Sequence, residues 1–311
     1  MSLFPSIEQK RIAIVGSAGR LGGLLASSLD RNNSVIRLAR EQMDIGDSKS
    51  IDAALKDLDY DFLIIAGALT AVDYCETHEA EAFSINAEGP GRIAEISAEK
   101  GAHVTFISTD FVYDGTKDMP YTEEDATEPI SVYGASKLRG EKLVLGADPG
   151  NLVIRISWLY GPGKPAFPEW IINKACAETD LTLPEDKIGC PTSSVDLVNW
   201  MLPMLAGRDG ESASGIFNLC NSRPCSWQEW GQYCIDTARD AGLPVRANRI
   251  SGVSVDSVPA FIAKRPVNSS MSTAKYTART GITPRDWQTA VREFLAGSDL
   301  FREHRPASAT H

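Results

Sequence analysis

The sequence predicts an α/β fold: a Rossmann-like, doubly wound parallel sheet with a smaller C-terminal substrate-binding domain. Three observations predict it. Short apolar runs rich in β-branched residues alternate with stretches of helical periodicity through the first half of the chain. The first of these runs leads straight into a glycine turn that opens a helix. From Gly161 the character changes to turn-rich loops, and five of the six tryptophans fall between Trp170 and Trp287. Residues 1–160 are therefore read as a dinucleotide-binding domain. Residues 161–311 are read as mainly substrate-binding, with a segment near 193–225 returning to the first domain.

The first strand is Arg11-Ile12-Ala13-Ile14-Val15. Gly16-Ser17-Ala18-Gly19-Arg20-Leu21-Gly22 follows, then helical spacing at Leu21, Leu24, Leu25 and Leu29. Glycines allow a tight turn and a close approach to a pyrophosphate lying on the helix N-terminus. The spacing is Gly-x-x-Gly-x-x-Gly, which a plain strand-to-helix turn also satisfies; its position at the first strand favours the nucleotide. Ser34 to Leu38 is the second strand. It ends in Ala39-Arg40, where many NAD-binding folds carry an acid for the ribose 2′-hydroxyl. Arg40, with Arg20 of the glycine turn, suits the 2′-phosphate of NADP instead, unless both arginines are simply solvated. Asp44-Ile45 precedes a helix at about Ser50 to Leu58.

Asp61 to Ala66 is the third strand. It ends in the small residues Ala66, Gly67 and Ala68, which leave ligand space at the carboxyl end of the sheet, and Leu69 and Thr70 come next. A helix is expected from about Glu79 to Lys100. Asn86 inside it is mildly unfavourable by propensity, which marks either a buried hydrogen-bonding task or a solvent-facing position. His103 to Ile107 is a strand ending in Ser108-Thr109-Asp110, whose polar groups are placed to touch a substrate or to bond to the local backbone. Leu152 to Ile156 is another strand and Gly215 to Leu219 a later one. Ser226-Trp227-Gln228-Glu229 has the spacing of a capping box. The tail from Arg302 is polar and expected to fray.

Tyr133 and Lys137, four apart, share one face of a helix. A neighbouring ammonium favours a phenolate and would bring the tyrosine pKa toward the working range. The pair is a proton-transfer device by chemistry, though Tyr-x-x-x-Lys is a common chance pattern.

Composition narrows the rest. The 311 residues are 43% hydrophobic and 23% charged, ordinary for a globular protein. A net charge of −10 argues against nonspecific nucleic-acid binding. No apolar run has membrane-spanning length, and Met1 to Arg11 lack a signal-peptide core. The six cysteines form no Cys-x-x-Cys and only four histidines accompany them, so no metal site is expected. Scattered thiols suit a reducing cytoplasm.

Together these stretches resemble the extended short-chain dehydrogenase/reductases, and within them the dTDP-4-dehydrorhamnose reductases, over nearly the whole chain. The carriers are Gly16 to Gly22, Ala68 to Asp73, Ile85 to Pro90, Ile107 to Gly115, Tyr133 to Glu141, Ser157 to Pro162, Ile188 to Thr192 and Arg265 to Ser269. The resemblance implies a catalytic set of Thr109, Tyr133, Lys137 and a supporting Asn86. Thr109 would bond the ketone oxygen of the substrate, Tyr133 would donate the proton, and Lys137 would lower the tyrosine pKa and hold the nicotinamide ribose. It implies cofactor contacts at Gly19, Arg20, Leu21, Asp44, Ile45, Ala68, Leu69 and Thr70, and substrate contacts near Asp110, Trp158 and Cys190-Pro191-Thr192. It also implies a homodimer. Phe111 stands where the reductases usually carry tyrosine, and Ala39 where an acid is often found.

The implied function is reduction of a nucleotide-linked 4-keto-6-deoxysugar with NADP preferred and NAD usable. A sugar-nucleotide epimerase or dehydratase on the same fold is a second reading, although dehydratases follow the catalytic hydroxyl with Asp-Glu and this chain has Asp110-Phe111. A non-catalytic regulatory subunit resembling the methionine adenosyltransferase β subunit is a third.

Overall fold

A computed structural model describes residues 9–206 and 212–302. The expected fraying after Arg302 lies outside the described residues. In order, the first part of the chain forms β1 (Arg11–Val15), α1 (Arg20–Leu29), β2 (Ser34–Leu38), α2 (Ser48–Leu55) and β3 (Phe62–Ile65). Then come α3 (Val72–Thr77), α4 (Glu79–Phe83), α5 (Gly89–Glu99), β4 (His103–Thr109), α6 (Val132–Ala147) and β5 (Leu152–Ile156).

All five strands are parallel, and Gly215–Asn218 adds a sixth beside β5. Across the sheet the order is Gly215–Asn218, β5, β4, β3, β1, β2. The chain reverses direction of travel between β1 and β3, and the crevice at the carboxyl ends of those strands is where open α/β sheets bind ligands.

Strand side chains alternate between two buried layers, as a sheet covered on both faces requires. Ile12, Ile14, Ile64 and Ile154 pack under α1 and the helix Ser194–Ala206 through Leu21, Leu25, Leu197 and Met201. Ala13, Val15, Leu63, Phe106 and Val153 face the opposite way, against Ile51 of α2, Ile93 of α5 and Val144 of α6. A third apolar cluster belongs to the later chain. It joins Ile171, Ile172, Leu183, Trp230, Ile235, Ile250, Trp287 and Leu295. Around it lie the helices Phe167–Ala177, Trp227–Asp240 and Trp287–Gly297 and the parallel pair Leu181–Pro184 with Ile250–Val253. Ser226 and Glu229 form the capping box that their spacing predicts.

One expected helix is interrupted. The stretch from Glu79 to Lys100 is α4, then a π-helical turn at Ser84–Glu88, then α5. The wide turn carries Asn86, and such turns often occur at functional sites.

Candidate active site

The site is a cleft of about 720 Å³ along the carboxyl ends of the central strands. At one end is the β1–α1 turn. Gly16 has φ +77°, and a Cβ there would lie 2.6 Å from the backbone of Gly67. Only glycine allows the ends of β1 and β3 to approach so closely. At Gly22 a Cβ would lie 2.3 Å from the Gly16 carbonyl, so the first turn of α1 lies tight against the loop. Gly19 caps α1 with no side-chain hydrogen bond. The first amides of the helix therefore keep free donors at its positive end.

Gly16, Ala18, Gly19, Arg20, Leu21, Arg40, Ala66, Gly67, Ala68 and Thr70 line this end. An adjoining cavity of about 220 Å³ is lined in part by Arg40, Asp44, Ile45 and Leu69. Ser17 and Gly22 shape the turn, the Ser17 amide donating to the Leu38 carbonyl at 3.4 Å. An uncapped helix terminus in a cradle of small residues fits the pyrophosphate of a dinucleotide.

The two arginines differ from expectation. Arg20 donates to the carbonyls of Gly161, Lys164 and Pro165, the latter two at 2.9 Å. Its guanidinium thus clamps the 161–165 loop and is committed away from a 2′-phosphate. The reason is supply and demand: the loop, rich in glycine and proline, offers carbonyls that no helix or strand satisfies. Arg40 is free of such ties. Its side chain is 80% exposed and lies 3.6 Å from Asp44. Asp44 in turn accepts from the Gly46 amide at 2.9 Å.

At the other end of the cleft stand Thr109, Asp110, Tyr133, Lys137 and Trp158. Thr109 ends β4. Tyr133 lies in the first turn of α6, which Ser131 caps by accepting from the Gly134 amide at 3.2 Å. Tyr133 packs edge-on to Phe111, ring centroids 5.5 Å apart. Lys137 is buried, donates to the Ile107 carbonyl at 2.6 Å, and lies 3.9 Å over the Phe106 ring. Burial lowers its pKa to about 7, against the opposing pull of Glu141. Burial pushes the Tyr133 hydroxyl well up, a hydrogen bond with Thr109 pulls it back, and Asp110 and Cys75 add to the rise. Here the structure corrects the sequence reading: desolvation dominates, and the Lys137 ammonium is turned to a β4 carbonyl instead of holding the phenol acidic.

Asn86 is buried and bonds twice to Leu69, accepting from its amide at 2.8 Å and donating to its carbonyl at 3.0 Å. It also donates to Ser136 Oγ at 3.1 Å. It therefore ties the loop after β3 to α6 between Tyr133 and Lys137.

The family described as the RmlD substrate binding domain matches residues 10–299. The chain belongs to this RmlD family. It is 32% identical over 290 residues to the dTDP-4-dehydrorhamnose reductase of Sinorhizobium fredii (strain NBRC 101917 / NGR234), covering 92% of this chain and 96% of the relative. A crystal structure of a dTDP-4-dehydrorhamnose reductase from Clostridium acetobutylicum aligns with TM-score 0.84 and 31% identity, over 92% of this chain and 98% of the other. The Bacillus anthracis enzyme of the same name, solved in complex with NADP, aligns with TM-score 0.86 and 26% identity, over 93% and 100%.

In this RmlD-family chain the wall beyond Thr109 is a buried polar chain. Asp110 accepts from Thr109 Oγ1 at 3.1 Å, from Ser157 Oγ at 3.2 Å and from Ser269 Oγ at 2.5 Å. Ser269 accepts from the buried Lys187 ammonium at 2.7 Å. Burial raises the Asp110 carboxyl while Lys187 opposes the rise, and burial lowers the Lys187 ammonium to about 8.

Trp158 follows β5 with φ +44°, a conformation costly for a bulky residue and one that clusters at ligand sites. It lies against Gly189, where a Cβ would come within 2.5 Å of its ring, and stacks on Trp230 at 5.6 Å between centroids. The Cys190-Pro191-Thr192 loop is buried, which corrects its expected place on the substrate wall. The Cys190 amide donates to Ser157 at 3.4 Å and the Thr192 amide to the Trp158 carbonyl at 3.2 Å, so the loop props Trp158 from behind.

Lys164, Trp227 and Arg265 also line the cleft, and none was singled out from the sequence as a site residue. Arg265 pairs with Asp73 at 2.6 Å and lies 3.6 Å over the Phe261 ring. The Arg265-Pro266 stretch was a signal for it, and Gly163-Lys164 in a turn was one for Lys164.

Proposed function

We propose that the chain is a reductase of a nucleotide-linked 4-keto-6-deoxysugar that prefers NADPH and accepts NADH, acting as a dTDP-4-dehydrorhamnose reductase. The observation that carries this reading is that the glycine turn and the Thr109, Tyr133 and Lys137 side chains open onto one cleft. The relatives of that name, and the NADP held by one of them, support it.

The reduced nicotinamide, when bound, supplies the hydride. The turn from Gly16 to Gly22 takes the pyrophosphate, and Ala66 to Thr70, Asp44 and Ile45 wall the rest of the dinucleotide. Lys137 spends one donor on Ile107 and keeps two for ribose hydroxyls. Tyr133, held protonated by burial, reaches the substrate with its proton and gives it to the C4 oxygen as negative charge gathers there. The Lys137 charge, bonded to the Ile107 carbonyl, acts on the resulting phenolate through space and most strongly in the transition state. Thr109 gives its own hydrogen to the substrate oxygen only by turning away from Asp110. Asn86 acts through the backbone of Leu69 and through Ser136. Trp158 and Asp110 face the sugar nucleotide, and Cys190, Pro191 and Thr192 act through Trp158. In this division the first part of the chain carries the dinucleotide and the reacting groups, and the later part closes the cleft with Lys164, Trp227 and Arg265 while Gly215–Asn218 returns to the sheet.

The test is to incubate the protein with NADPH and dTDP-4-dehydrorhamnose. Oxidation of NADPH together with formation of dTDP-rhamnose is expected, and neither appearing overturns the reading. The protein is further proposed to work as a homodimer in the cytoplasm, a setting that suits its six free thiols. A monomeric mass by light scattering would count against the dimer.

A further inference from the structure

Beneath the cleft lies a buried ion pair that the reaction does not use. Arg155 of β5 donates to both oxygens of Glu141, Nε to Oε1 at 2.9 Å and a terminal nitrogen to Oε2 at 2.6 Å. Both side chains are 2% exposed. Ser108, next to Thr109 on β4, donates to the same carboxylate at 2.5 Å. Arg155 also donates to the Tyr113 hydroxyl at 2.9 Å. Glu141 stands four residues after Lys137 on α6, so the two side chains share a helix face, and both are buried. Replacing such a pair by apolar residues is often neutral or stabilising, so a contribution to stability alone explains little.

We propose that Glu141 is a positioning residue for Lys137: its carboxylate is the counter-charge that keeps the buried ammonium protonated, and Arg155 fixes the carboxylate at that station. The catalytic side of this inference rests on the reductase reading; the electrostatic side stands without it. Ionic neighbours at this depth interact through a low dielectric, so one charge matters more here than at the surface. Other charged groups lie around α6, and on its outer face Arg139 pairs with Glu88 of the π-helical turn at 3.8 Å. Arg155 comes from β5, and Tyr113 and Asp110 come from the segment after β4. Lys187 answers Asp110 through Ser269. Cys75 and Glu76 come from α3, and Glu76 accepts from the Val132 amide at 3.1 Å. Glu141 is the group whose charge supports the Lys137 ammonium against desolvation. With the ammonium titrating at about 7, loss of that support takes it out of its charged form at neutral pH.

The experiment titrates the free protein, labelled at lysine with a stable isotope, by NMR. The Lys137 signal is identified by its absence from Lys137→Arg. Glu141→Gln should move the Lys137 midpoint down by on the order of one pH unit. Glu141→Asp, which keeps the charge, should hold the midpoint near that of wild type. Arg155→Lys, which cannot grip both carboxylate oxygens at once, should leave Glu141 freer to pair with Lys137 and move the midpoint up. It provides a second reading should Glu141→Gln not fold. A midpoint unmoved in Glu141→Gln, or equally displaced in Glu141→Asp, overturns the inference. The pH profile of kcat/KM separates this from the reductase reading. In wild type an alkaline limb near the Lys137 midpoint is expected, moving with it in Glu141→Gln and vanishing in Lys137→Arg, whose guanidinium does not titrate. A limb that persists in Lys137→Arg sinks the catalytic role of Lys137 while the NMR titration still decides the role of Glu141.

Discussion

The two ends of the cleft are built from different materials. The end proposed to hold the dinucleotide is backbone: glycines at 16, 19 and 22, an uncapped helix terminus, and small residues from Ala66 to Ala68. The end proposed to carry the chemistry is buried ionisable side chains: Tyr133, Lys137, Asp110 and Lys187, with Glu141 and Arg155 beneath. Backbone donors carry no titrating charge, so the first end should be indifferent to pH and intolerant of added atoms. The second end should respond sharply to any change in charge or in a proton that must be transferred.

The largest effect is expected at Tyr133. Tyr133→Phe removes one hydroxyl and leaves the ring against Phe111. General acid catalysis contributes about a hundred- to ten-thousand-fold, so kcat should fall by that much. NADPH affinity, measured by calorimetry, should stay within a few-fold. Activity close to wild type would remove Tyr133 as proton donor, and a parallel loss of NADPH affinity would erase the separation between the two ends.

The matching change at the backbone end is Gly22→Ala. Its methyl would sit 2.3 Å from the Gly16 carbonyl, so the turn must open. Losing one or two hydrogen bonds to a charged pyrophosphate, at about 1.5–3 kcal/mol each, predicts about a tenfold to hundredfold or greater loss of NADPH affinity. The loss should be the same at every pH at which the protein is folded. A pH-dependent loss, or none, would show that the turn does not hold the dinucleotide through its backbone.

Lys187→Met tests the charged end through stability. Removing one partner of a directly bonded buried pair costs about 3–5 kcal/mol, and with Ser269 standing between Lys187 and Asp110 a deficit below that range is expected. The pH dependence has a definite sign. Asp110 already titrates above its ordinary value, and without Lys187 it rises further. A carboxyl whose folded pKa is raised contributes full stability below the unfolded value of about 3.9 and loses it as pH rises through the folded value. The deficit against wild type should therefore be smaller at about pH 4.5 than at about pH 7, read from urea midpoints. A deficit that shrinks with rising pH would contradict the pairing.

What the sequence reveals follows the same division. The β-branched strands, the glycine turn and the Tyr133–Lys137 spacing are local patterns, and each appears where the sequence predicts it. The π turn at Asn86 is legible only as a break: no large apolar residue falls between Ile85 and Ile93, where Gly89-Pro90-Gly91 stands, and the break does not say that a wide turn fills it. Pairings across long separations are invisible to periodicity. Arg20 meets Gly161 across 141 residues, and Asp110 meets Ser269 across 159. Lys187 sits between the short strands Leu181–Pro184 and Ile188–Gly189 and carries no signal of burial. The Cys190 loop looked like a substrate wall, and only the packing of Trp158 shows that it is a prop.

The smallest expected effect concerns an exposed charge at the edge of the backbone end. A 2′-phosphate needs a cation near the end of β2. With Arg20 bound to the 161–165 carbonyls, Arg40 is the residue placed to supply it. A charge-assisted hydrogen bond contributes roughly 1.5–3 kcal/mol, or about tenfold or more in preference. Two features reduce this. The Arg40 side chain is 80% exposed and so is screened by water and salt. Asp44, at 3.6 Å, competes for the guanidinium and repels a phosphate brought beside it. The expected outcome is a modest NADPH preference that Arg40→Ala lowers by about tenfold or less, measured as the ratio of kcat/KM for the two cofactors. The effect should weaken as salt is raised, unlike the loss in Gly22→Ala. A wild-type preference for NADH, or a ratio that Arg40→Ala leaves unchanged, would return the discrimination to backbone and shape and extend the backbone character of this end to its outer edge.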